Sequence, residues 1–284
     1  MPENYVVGAT GVLVDDERET AWLQSKAAAT VLMKDFKADS MSFPKSSAEF
    51  KTLHFTQDSI HDFAWFADKR WNVLLDTVQL PKSKKVVTIQ SFFTNQQAKW
   101  WMKSPEYMKR AVLYYSKWLG EYPYQYVTAA DVTDAEGSGM EYPMICFNYG
   151  RTEKDGTYSE SIKNGMIGVV IHEVGHNFFP MIINSDERQW SWMDEGLNTF
   201  VEYLTEELWD NKFPSRRGPA AYITDYMKLP KEQLEPIMTN SENIVQFGPN
   251  AYSKPATGLN ILRETIMGRE LFDYAFKQYA RRWA

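Results

Sequence analysis

Two histidines, His172 and His176, enclose a glutamate, Glu173, in the run His-Glu-Val-Gly-His. On an α-helix, side chains at i and i+4 leave the same face, so both imidazoles can reach one metal ion. Glu173 then stands beside the water that such a metal activates. The chain has only four histidines, and two fall in this pentamer. A catalytic zinc takes three protein ligands and keeps one corner open. Glu195 lies 18 intervening residues after His176, at the start of the next helical segment, Trp192-Met193-Asp194-Glu195-Gly196. It is the expected third ligand. Such a His₂Glu site lowers the pKa of water and polarises a carbonyl, which is the chemistry of hydrolysis. One zinc per chain is expected, with Glu173 as the base that takes a proton from water and passes it to the leaving amine.

Glu202 follows Glu195 by two helical turns, on about the same face. A metal-bound histidine usually donates its second ring N–H to a carboxylate or carbonyl. Glu202 is a candidate for that partner; the other reading is an exposed surface glutamate. His54 and His61 sit far from the pentamer, in an aromatic-rich stretch, and read as structural.

Several elements must hold these groups. Ile162, Met166, Val169, Val170 and Val174 keep helical spacing, which predicts a helix over 162–179 ended by Pro180. Ser191, with Asp194 three residues on, has the form of a capping box. It opens a helix whose stripe is Met193, Leu197, Val201, Leu204 and Leu208. Further helices are expected over 219–229, over 255–267 up to Gly268, and over 269–283. Upstream, Ser104-Pro105-Glu106 starts a helix with Ser at the cap, and Gly120 stops it. Its stripe is Met108, Val112, Tyr115 and Leu119. Strands are expected within 5–14, early in 52–71, and at 86–89, 124–132 and 140–149, with helix over 17–37 and a loop over 40–47. Strands first and helices afterwards make an α+β fold.

Composition excludes other classes. A net charge of −6 without a basic block argues against nucleic acid. No run of eighteen apolar residues exists, so no transmembrane segment is expected. The lone cysteine, Cys146, forbids an intramolecular disulfide and reads as a small buried filler. The compartment, cytoplasmic or periplasmic and secreted, stays open. Aromatic residues make up 15% of the chain, with ten Trp, and read as a heavily aromatic core; the other reading is that some of them line a peptide-binding cleft.

With the zinc residues in hand, the chain resembles the aminopeptidase N family of gluzincins, which includes the leukotriene hydrolases. Gly137-Ser138-Gly139-Met140-Glu141-Tyr142 is similar to the family's Gly-x-Met-Glu-Asn motif. Tyr142 replaces the usual Asn, and Asp194 stands where Asn commonly precedes the third ligand. Ala251-Tyr252-Ser253-Lys254-Pro255 is similar to the segment carrying the family's catalytic tyrosine. The resemblance implies a thermolysin-like catalytic domain, a small mixed sheet followed by helices, over 81–284. Residues 1–80 would be a partial β-rich domain and the passage out of it. The fuller β domain and the helical domain of family members would be missing flanking parts of a longer enzyme. It implies that Glu141, with Gly139 and Met140, binds the free α-ammonium of a peptide, and that Tyr252 stabilises the oxyanion. The expected function is a zinc aminopeptidase acting on peptides with a free N-terminus. The alternatives are a metalloendopeptidase, in which Glu141 is incidental, and a catalytically silent peptidase-like binding module.

Overall fold

Alternating β-branched and polar residues build a sheet in the first half of the chain, and longer apolar stripes build helices in the second. The structure is a computed structural model and describes residues 1–14, 16–37, 42–132, 139–148 and 157–284. In chain order, β1 (Val6–Ala9) and β2 (Val12–Leu13) precede α1 (Glu17–Leu32). Then come β3 (Phe55–Thr56), β4 (Trp65–Asp68), β5 (Asn72–Gln79) and β6 (Val86–Phe93). The short α2 (Ala98–Trp101) and long α3 (Ser104–Leu119) lead to β7 (Tyr126–Asp131), β8 (Gly139–Tyr142) and β9 (Ile145–Asn148). The helices α4 (Glu160–Gly175), α5 (Leu197–Trp209), α6 (Thr224–Met227), α7 (Lys254–Ile261) and α8 (Arg269–Trp283) complete the chain. The fold is α+β, as expected: a small mixed sheet followed by helices. Among the described residues, no helix is long and apolar enough to cross a membrane.

The chain forms two compact units, Met1–Arg110 with Pro123–Val174, and Ala111–Tyr122 with Gly175–Ala284. The first holds a five-stranded sheet in the order β5-β6-β7-β9-β8. β6, β7 and β9 run parallel, while the outer strands β5 and β8 are antiparallel to their neighbours. A parallel β6–β7 pair needs a long crossover, and α2 and α3 supply it. Val6, Leu23, Ala27, Trp71, Val73, Phe92 and Ala130 pack into one core cluster. In the second unit, Phe200 meets Phe272 and Phe276 edge-on, joining α5 to α8. Buried Arg263 holds the start of α8 through Asp273, at 2.6 and 3.1 Å.

Local expectations were met unevenly. The α3 stripe is buried, but the Ser104 hydroxyl does not cap; it donates to the Trp101 carbonyl at 2.7 Å. Ser191 is already helical, and its hydroxyl pairs with Ser241 at 2.6 Å, so there is no capping box. Leu208 is exposed because the last residues of α5, after Glu206, leave the core. The 219–229 helix is a tight 3₁₀ turn, Ala220–Ile223, running into α6. β5 was not anticipated, although Val73, Leu74 and Val78 carry its buried face. Residues 40–41, Gly137, Ser138 and Tyr149 lie outside the described residues.

Asp131, at the end of β7, is 2% exposed. Its carboxylate accepts from the Thr94 amide at 3.0 Å and the Thr94 hydroxyl at 2.7 Å. Burial outweighs these bonds and pushes its pKa up to about 6 from 3.8. A carboxyl that binds its proton more tightly when folded stabilises the fold at low pH. That contribution is present below the unfolded pKa and is lost as pH rises through about 6. The loss is on the order of 3 kcal/mol. Urea-unfolding free energies of the native chain and of Asp131→Asn should therefore diverge between about pH 4 and 7, with the native chain falling. Parallel pH profiles would mean that Asp131 titrates normally.

Candidate metal centre

Helix α4 is amphipathic only at its start. From Met166 onward it is buried almost all round, as befits a helix running through a core. His172 is 8% exposed and His176 1%. Buried imidazoles need partners. The chain leaves helical geometry at Phe179 (φ −121°, ψ 114°), and its carbonyl oxygen lies 2.8 Å from His176 Nδ1. A carbonyl can only accept, so Nδ1 carries the proton and Nε2 keeps its lone pair. For His176, the partner sought in Glu202 is thus the Phe179 backbone. Glu202 lies half-buried on α5. Asp194 Oδ1 also sits 2.9 Å from His176 Nδ1, a placement the sequence did not suggest.

His176 Nε2 faces Glu195 Oε2 at 3.3 Å. With the ring proton on Nδ1, these are two lone-pair donors turned toward each other, which a shared cation satisfies. His172 lies on α4, four residues before His176, which stands just past the end of that helix. One ligand atom from each of His172, His176 and Glu195 lies within 4.8 Å of the others. Two imidazoles and one carboxylate are the donor set of a catalytic zinc, so the residues fit that metal.

Glu195 is carried by a wide π-type turn, Trp192–Gly196, and Tyr252 by another, Gly248–Ser253. Such turns re-aim side chains and recur at functional sites. Gly196 has no room for a Cβ, which would overlap the Pro255 ring and the Ala251 carbonyl. That close approach brings the two turns together, and the Tyr252 hydroxyl donates to Glu195 Oε1 at 2.6 Å. Burial, then the Glu195 charge, push the phenol pKa well above its usual value, so Tyr252 stays a proton donor. Phe247 meets the ring edge-on at 6.1 Å, and the Arg217 guanidinium stacks on it at 4.3 Å.

In the sheet-bearing unit, Glu173 is 4% exposed. A Cβ at Gly139 would overlap its carboxylate, so glycine is required where β8 passes it. Successive strand residues alternate faces. Glu141 therefore shares with Gly139 the face turned to Glu173, while Met140 and Tyr142 take the other. Tyr142 packs there against Phe66 and Phe147, which gives the tyrosine in place of Asn a packing role. His54 and His61 are exposed.

The Peptidase family M1 domain matches residues 105–284. No curated protein matches the sequence. Among solved structures, the M1 zinc metallopeptidase from Deinococcus radiodurans is similar, with a TM-score of 0.67 and 17% identity over 99% of this chain and 55% of that one. A Glu-to-Ala mutant of the Deinococcus radiodurans enzyme bound to a Tyr-Ser-Ala substrate aligns with a TM-score of 0.64, at 18% identity, over 100% of this chain and 55% of that one. A mutant of a two-domain M1 zinc metallopeptidase bound to L-arginine also has a TM-score of 0.64, at 16% identity and the same coverage. The chain spans about half the length of these structures.

Proposed function

The chain belongs to peptidase family M1, and we propose that it is a zinc aminopeptidase that hydrolyses the N-terminal peptide bond of peptides. His172, His176 and Glu195 would hold one zinc, which when bound supplies Lewis acidity toward water and the scissile carbonyl. Glu173 would take a proton from the attacking water and return it to the leaving amine. Tyr252, a protonated phenol beside Glu195, would donate to the oxygen on which charge develops. Glu202 remains a candidate to steady a histidine ligand.

The observation that favours an exopeptidase is the face of β8. Glu141 projects on the same side as Gly139, which is in van der Waals range of Glu173. A carboxylate there can pair with a free α-ammonium, and an internal peptide bond offers it no charge. Gly139 leaves the space, and Met140 would contribute through its backbone. Glu141→Ala should lower kcat/KM for peptides with a free N-terminus by roughly 10- to 100-fold, the worth of a charged hydrogen bond. N-acetylated peptides should be poor substrates of both proteins. Comparable cleavage of acetylated peptides would make the chain an endopeptidase. Zinc binding without any peptide turnover would make it a binding module.

A further inference from the structure

The guanidinium of Arg217 lies over the Tyr252 ring, 4.3 Å from its centroid. Among the described residues it has no ion pair and no hydrogen bond, and the Tyr252 ring is its cation–π partner. An arginine has five N–H donors in a rigid fork. Stacking on a ring uses its face and leaves those donors at its edge open. Arg217 is half-buried.

The backbone on either side is anchored. Ser215, 8% exposed, donates through its hydroxyl to Glu206 Oε2 on α5 at 2.5 Å. Gly218 has φ +100°, and a Cβ there would overlap the Tyr203 ring. Only glycine combines that left-handed backbone with so close an approach. Arg217 therefore projects from a short segment pinned to α5 at both ends, a pre-organised arrangement with less entropy to lose on binding. Its ring partner is the same tyrosine that touches Glu195, which places the guanidinium beside the reacting end of the site.

We propose that Arg217 is a specificity-determining residue that binds a carboxylate of the substrate, chiefly the free C-terminus of a short peptide. A planar fork pairs with a carboxylate through two parallel hydrogen bonds, a geometry that lysine cannot reproduce. This proposal rests on the aminopeptidase reading above, and its test separates the two.

The test is calorimetric binding to the zinc-loaded Glu173→Gln protein, which would bind peptides without consuming them. The probes are Leu-Ala-Ala, its C-terminal amide, the amide of Leu-Asp-Ala, and N-acetyl-Leu-Ala-Ala. The free acid should bind at least about 10-fold more tightly than its amide, the worth of a charge-assisted pair. Adding Arg217→Ala should erase that difference, and Arg217→Lys should keep part of it. Arg217→Gln, close in size, gives a second loss of charge should the alanine variant unfold. If the Asp-containing amide alone recovers the affinity, the recognised carboxylate is an acidic side chain rather than the C-terminus. A free-acid preference that survives Arg217→Ala, or no preference for any carboxylate, overturns the proposal. Equal binding of the acetylated peptide would instead count against the aminopeptidase reading while leaving the carboxylate preference standing.

Discussion

Glu173→Gln should lower kcat by about 10²–10⁴-fold, the span usually supplied by a general acid–base group. The amide keeps the shape of the carboxylate and cannot take a proton. Glu173 is buried against Gly139, and its nearly isosteric replacement should leave that packing in place. The metal site should be unaffected, because the donors are His172, His176 and Glu195. Metal analysis after dialysis should therefore find about one zinc per chain in both proteins, from the single His₂Glu set. KM should change little, since the proton moves only as the transition state forms. A variant with near-native kcat would mean that another group serves as the base. A variant that loses both turnover and zinc would mean that Glu173 acts through the metal site rather than on the water.

Tyr252→Phe should lower kcat by about 10²–10³-fold with little change in KM, as expected for one oxyanion donor. The substitution keeps the ring between Phe247 and Arg217 and deletes only the hydroxyl. In the structure that hydroxyl donates to Glu195 Oε1. To act on substrate it must exchange this bond for one to the oxygen gaining charge. The exchange favours the transition state, because a developing oxyanion accepts more strongly than a neutral carbonyl. The measurement is kcat and KM together with zinc content and melting temperature. A fall in zinc content alongside kcat would assign Tyr252 to holding Glu195. Unchanged kcat would leave it a packing residue.

The His172–Glu173–His176 set was legible in the sequence because its geometry is local. Helical spacing alone places these residues, and the apolar run of α4 announces the helix. Glu195 was legible because it follows at the head of the next helix. Gly139 and Glu141 were visible only by resemblance, since nothing in a short run of strand residues says which face meets Glu173. The close approach at Gly139 decides that. Tyr252 stands 57 residues from Glu195, and no sequence period links them; the contact of Gly196 with Pro255 and Ala251 brings them together. The partner of His176 Nδ1 is a backbone carbonyl, freed where the chain leaves helical geometry at Phe179. Backbone carbonyls are identical at every residue, so side-chain identity could not single out this one. Arg217 drew no attention for a related reason: its charge looks like any surface charge until the turn at Gly218 and the anchor at Ser215 set it on the Tyr252 ring. Residue types and short-range period determine which chemistry the chain can perform. Close approaches between distant segments, permitted where a side chain is absent, decide which groups meet, because steric fit is a property of the packed chain and not of any one stretch of it.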